Sequence, residues 1–225
     1  MRQLYHTSFS PSCRKIRFML NELQLEYKLI DEPVWEQRPE FLQINAGGDL
    51  PVLIDANELI LCGSYVIMEY LEEGYRTDFD NSLFGADLAT RAEVRRLVHW
   101  CDSKLLKEVT QPLLHEKYFR SLLKAGQPDT KRIRYAKTML DKHMQYFENL
   151  LSHHEWLAGD KFSIADIAVA SHFSLHDYLS DINWQHNSAV KKWYALVKSR
   201  PAFRKIMKDR VRGIKPPAHY EDPDF

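Results

Sequence analysis

The sequence predicts two domains, a small α/β unit followed by an all-helical one. Two observations carry that expectation. The first stretch reads as strand, helix, strand, then two short strands and a helix, whereas apolar residues beyond position 88 recur at helical spacing almost throughout.

Gln3 to His6 is a short strand, and the loop Thr7 to Pro11 leads into a periodic stretch, Cys13 to Leu23, with Ile16, Met19, Leu20 and Leu23 on one face. Tyr27 to Ile30 forms a second strand, and Pro33 to Phe41 a polar connection with a short helical piece. Leu50 to Ile54 and Glu58 to Leu61 are apolar runs separated by Asp55, Ala56 and Asn57, the turn chemistry of a hairpin. Helix resumes at Ser64, with Val66, Ile67, Tyr70 and Leu71 on one face, and ends near Tyr75. A parallel unit followed by an antiparallel pair in one small sheet is the thioredoxin-like arrangement. The first domain therefore spans residues 1–76.

Residues 77–87 carry Asp78, Asp80, Asn81, Ser82, Gly85 and Asp87 without a period, as a linker would. An all-helical domain over 88–212 follows. Arg91 to Leu123 and Lys131 to Leu151 are long amphipathic stretches broken by Gly126, Gln127, Pro128 and Asp129. Shorter helices are predicted over Ile164 to Leu179, Ser188 to Ser199 and Ala202 to Arg210. Residues 213–225 form a proline-rich tail.

Composition narrows the functional classes. Hydrophobic content of 44% and charged content of 28% are those of a folded globular protein. The absence of an apolar run of about 20 residues and of a signal-like start predicts a cytoplasmic protein without membrane insertion. Cys13, Cys62 and Cys101 are three widely spaced thiols, which suits a reducing compartment. Formal charge is zero, yet residues 1–80 hold 7 Lys+Arg against 14 Asp+Glu and residues 191–215 hold 10 against 1. Such an asymmetry steers unlike partners to different faces, steers two copies of the chain together, or consists of solvated charge. The acidic remainder makes broad nucleic-acid binding unlikely.

The run Ser10, Pro11, Ser12, Cys13, Arg14, Lys15 places a hydroxyl and a thiol at a helix start, where unpaired N–H groups stabilise a thiolate or developing anion. Ser10 is equally suited to plain capping. Asn45 to Leu53, with Pro51 inside it, then Leu61 to Ile67, with Gly63 and Ser64, and a Ser-x-x-Asp box at Ser163 and Asp166 follow in order. Together these segments resemble the glutathione S-transferase superfamily, and the resemblance implies its fold.

The resemblance further implies a role for each matched position. Ser10 would be the catalytic hydroxyl, surviving or vestigial, with Cys13 a weaker candidate because a serine replaces the nucleophile of a Cys-x-x-Cys turn. Pro51 would follow a cis bond, Leu50 would pair by backbone with the cysteinyl part of glutathione, and Ser64 would hold the γ-glutamyl carboxylate. Gly63 stands where the superfamily carries an acidic or amide side chain, and Asp49 where many members carry Lys or Arg. The site is thus degenerate. No cofactor is required, and glutathione is an optional ligand.

His172 and His176 stand one turn apart, but without a third ligand they do not make a metal site; surface or capping roles are expected. The tail, with Pro216, Pro217, His219, Tyr220 and Phe225, is stiff and aromatic. It either inserts into a groove on a partner or straps its own domain. That ending, with Val34 to Phe41 and Ala92 to Val98, resembles the FtsZ-localised, glutathione transferase-like cell-division proteins of bacteria. This implies a homodimer at the division site that binds FtsZ filaments and modulates constriction. Arg204, Lys208, His219, Tyr220 and Phe225 are then the partner-binding candidates. The alternative is a serine-class glutathione S-transferase or isomerase acting on small electrophiles.

Overall fold

Strand β1 (Arg2–His6) buries Leu4 and His6 and leaves their neighbours half-covered, the two-residue period of a strand with one face on a core. The structure is a computed structural model that describes residues 1–76, 82–211 and 213–223. The first part of the expected linker, residues 77–81, and Phe225 lie outside them. β1 runs parallel to β2 (Tyr27–Asp31) and antiparallel to β3 (Val52–Ile54), which pairs in turn with β4 (Ile60–Cys62). Among the described residues the sheet has the order β2-β1-β3-β4. This is the predicted thioredoxin-like domain.

Helix α1 (Pro11–Glu22) connects β1 to β2, and α3 (Ser64–Tyr75) follows β4. Between β2 and β3 the polar connection is a 3-10 turn, Val34–Glu36, and then helix α2 (Pro39–Ile44), which runs three residues beyond Phe41. Asp55 is buried, and the hydroxyls of Tyr70 and Tyr75 donate to it while Arg2 Nε lies 2.7 Å away. A carboxylate so ringed by donors ties the hairpin to the end of α3.

Residues 82–84, in the second part of the expected linker, are tied to the rest of the fold. Leu83 and Phe84 are buried, Ser82 Oγ and Leu83 N donate to Glu72 at 2.7 and 2.8 Å, and Ile164 N donates to Leu83 O at 2.9 Å. Leu83 and Phe84 are thus packed into the core.

Helix α4 (Leu88–His99) starts at Asp87, whose carboxylate accepts from Ala89 N and Thr90 N at 2.9 and 3.0 Å. It continues as a π-helix, Trp100–Thr110, then α5 (Gln111–Leu114), a second π stretch, His115–Phe119, and α6 (Arg120–Leu122). Buried Cys101, Leu105, Val109 and Leu113 recur every fourth residue, and wider i→i+5 turns keep that row on one face.

Helices α7 (Thr130–Leu151), α8 (Ile164–Tyr178), α9 (Ser188–Ser199) and α10 (Pro201–Met207) complete the domain. Every residue of α8 is buried, and its polar side chains find partners inside, Ser171 and Ser174 donating to Ile167 O and Ser171 O at 2.7 and 2.8 Å. Its start is the expected capping box: Ser163 N donates to Asp166 at 2.8 Å, and the same carboxylate also receives Leu157 N and Trp193 Nε1.

One apolar core spans both domains, with Phe18 of α1 against Phe203 of α10 at 4.9 Å between ring centroids. The charge asymmetry is partly consumed inside the molecule. Arg200 of the basic stretch clasps Glu22 of the acidic one with two 2.7 Å bonds.

Candidate functional site

The register of the sheet assembles the candidate site. Tyr5 pairs with Val52 and Val52 with Cys62, so the loop after β1, the entry to β3 and the exit from β4 all meet at one sheet end. Ser10, Leu50, Pro51, Gly63 and Ser64 are thereby brought together. The Leu50–Pro51 peptide is cis, and Gly63 N donates to Pro51 O at 3.0 Å.

Ser10 is the N-cap of α1: its side chain accepts from Cys13 N at 3.3 Å. That leaves the hydroxyl proton to donate outward. Neither α1 nor α3 has an acidic residue in its first turn, so both N-termini keep their positive partial charge. Cys13 is buried, and burial pushes its thiol up to about 11 despite the nearby Ser10 hydroxyl. At neutral pH it is a protonated core residue.

Gly63 has φ +87°, a conformation that favours glycine, and a Cβ built there would meet nothing within 4 Å. Asp49 is exposed and accepts from Asn45 Nδ2 at 2.7 Å, so a carboxylate is held at the rim of the site. Cys62, half-buried, has its thiol raised by burial and then by Asp49.

An aromatic cluster begins at Phe9, the residue before Ser10. Phe9 packs edge-on against Tyr118 at 4.8 Å and Tyr178 at 5.2 Å, and Trp35, 40% exposed, faces Phe119 at 6.4 Å. Burial and then Asp31 raise the Tyr118 phenol. Tyr118 and Phe119 carry no local motif in the sequence; their adjacency as two aromatics late in a long helical stretch is the signal that points to them.

The three basic residues after Ser10 do not line the site. Arg14 is fully buried, donating from Nε to Ser8 O at 2.9 Å and from Nη1 to Ser174 Oγ and Tyr220 OH at 2.7 and 3.1 Å. Lys15 pairs with Asp102, and Arg17 with Asp209. All three hold the domains together.

The tail straps its own helical domain. Tyr178 OH donates to Ile214 O at 2.8 Å, Lys198 Nζ donates to the carbonyls of His219 and Asp222 at 2.8 and 3.0 Å, and His219 Nε2 meets Asp177 Oδ1 at 2.8 Å. Tyr220 is buried, edge-on to Tyr178 at 5.1 Å, so it anchors the tail and presents no surface to a partner. His219 remains partly exposed, and Arg204 and Lys208 are exposed on and just after α10.

His172 and His176 are buried rather than superficial. Thr110 Oγ1 bridges them at 2.8 and 2.9 Å, and burial lowers both imidazoles, His176 to about 4. Among the described residues no group of three His, Cys, Asp or Glu stands together as a metal would need.

Known proteins share this architecture. The family profiles of the glutathione S-transferase N-terminal and C-terminal domains match residues 4–79 and 114–210. FtsZ-localized protein A of Caulobacter vibrioides (strain NA1000 / CB15N) is 41% identical over 227 residues, covering 100% of this chain and 98% of that protein. The structure of FzlA from C. crescentus superposes with a TM-score of 0.95, 41% identity and coverage of 100% and 99%. A crystal structure described as a glutathione S-transferase from Rhodospirillum rubrum F11 gives a TM-score of 0.95 at 43% identity, covering 100% of both chains.

Proposed function

The chain belongs to the glutathione S-transferase family, and on that premise we propose that it is a non-enzymatic interaction protein that binds FtsZ filaments and modulates constriction in dividing bacteria. The observation that carries this reading is the 41% identity, over the whole chain, to FtsZ-localized protein A. The state of the cleft supports it. Gly63 supplies no side chain to a ligand's ammonium, and a charge-assisted hydrogen bond of that kind is worth roughly 1.5–3 kcal/mol, or one to two decades of affinity. Asp49 would repel a ligand carboxylate.

The working form is a cytoplasmic homodimer recruited to the division site. Leu59 just before β4, Ile60 within it, and Tyr65 and Val66 in the first turn of α3 are each exposed, apolar surface that suits a second copy. Arg204 and Lys208 supply the cationic surface for the filament, with His219 beside the tail.

The alternative of a serine-class glutathione S-transferase or isomerase is favoured by one arrangement: Ser10, Pro51 and Ser64 gather at one sheet end beside two helix N-termini. Sedimentation with polymerised FtsZ, alongside calorimetry with millimolar glutathione, separates the two. Pelleting without saturable glutathione binding supports the proposal; absence from the pellet with binding that Ser64→Ala abolishes supports the enzyme.

A further inference from the structure

Strand β2 is an edge of the sheet. Glu32 N donates to His6 O at 2.9 Å, and since a strand residue's N–H and C=O point the same way, Lys28 and Ile30 also face β1. The main-chain groups of Tyr27, Leu29 and Asp31 therefore face outward, and no hydrogen bond among the described residues reaches them.

Beside that edge lies a groove of about 880 Å³. Its apolar part is made by Met1, Leu25, Tyr27 and Leu29, of which Leu29 is 39% and Met1 78% exposed. Its charged rim carries Glu26 and Lys205. Arg17 also lines it, with its charge already engaged by Asp209.

On and just after α10, Arg204 and Lys208 are exposed one residue before and three residues after Lys205; the three form no ion pair among the described residues, and they outnumber the acids on the same edge, Glu26 and Asp31. We propose that β2 and this groove bind an extended, acidic peptide segment of a partner protein by strand addition. The peptide would pair with the outward groups of Tyr27, Leu29 and Asp31, place alternate apolar side chains against Leu25 and Leu29, and bring its carboxylates to Lys205 and its neighbours. The proposal goes beyond the filament reading and does not depend on it, because its probe is a synthetic peptide.

The test uses the full chain with two probes, a peptide of alternating glutamate and valine and its lysine-for-glutamate twin. Anisotropy should show the acidic peptide binding and its twin not, and amide exchange should slow at Leu29 and Asp31 on binding. Leu29→Pro removes an outward donor while leaving the β1 pairing intact, and should weaken binding roughly fivefold to tenfold, the weight of a main-chain hydrogen bond. Should that variant unfold, Lys205→Glu gives the same test, with Lys192→Glu as a control that leaves binding unchanged. Equal binding of both peptides, protection elsewhere, or insensitivity to both variants overturns the proposal. So does self-association that Leu29→Pro or Lys205→Glu abolishes without peptide uptake, or uptake of anionic phospholipid vesicles in place of the peptide.

Discussion

The guanidinium of Arg14 donates through Nη1 to the hydroxyl of Tyr220 at 3.1 Å, joining the helix that Ser10 opens to a tail residue 206 positions later. The same side chain reaches Ser174 in α8. A residue four positions after Ser10 thus serves as the clasp between the first domain, the central helix and the tail.

Tyr220→Phe keeps the ring packing and removes one acceptor from a buried cation. The expected loss is about 1.5–3 kcal/mol, the range for hydrogen bonds to charged groups. Urea unfolding should show a lower midpoint at unchanged slope.

Glu116 is buried and holds the turn before α7. It accepts from Asp129 N at 2.9 Å, and Arg120, His115 and Arg132 surround it. The Asp129 N–H, opposed by burial and helped by His115 and Arg120, lowers its carboxyl from 4.5 to about 2. The folded value lies below the unfolded one, so its stabilisation is fully present above 4.5 and is lost as pH falls toward about 2. Melting temperature measured across that window should fall, and Glu116→Gln should flatten the fall while lowering the melting temperature at neutral pH.

Thiol labelling should rank the cysteines by burial. Cys62 is half-buried, whereas Cys13 and Cys101 are fully buried, with burial as the main cause of both raised thiols. Pulsed alkylation of the native protein should modify Cys62 first, and the other two only on unfolding.

Gly63→Ala separates backbone from space. The site has room for a methyl group, but φ of +87° disfavours any side chain. Stability should drop by about 1 kcal/mol, read from the urea midpoint, with no change in filament pelleting.

Local chemistry was legible in the sequence. The Ser163–Asp166 capping box, the turn at Asp55 to Asn57 and the loop containing Pro51 are each decided within a few residues. What the sequence left open were pairings chosen across the chain: Arg14 with Ser174 lies 160 positions apart, Lys15 with Asp102 lies 87, and Arg17 with Asp209 lies 192. The burial of Tyr220 and of the Thr110 bridge between His172 and His176 depends on such contacts, so spacing alone could not assign them. The π-helical widening at Trp100–Thr110 was likewise hidden, because its four-residue row of apolar side chains also suits an α-helix.

The central claim is that the function has moved from the cleft to the surface. The most direct measurement compares pelleting with polymerised FtsZ for the wild type, the Ser10→Ala/Ser64→Ala variant and the Arg204→Glu/Lys208→Glu variant. The account predicts that the cleft variant pellets like the wild type and that the charge-reversed one stays in the supernatant. A wild type that never enters the pellet, or pelleting that depends on Ser10 and Ser64 and ignores Arg204 and Lys208, would contradict it.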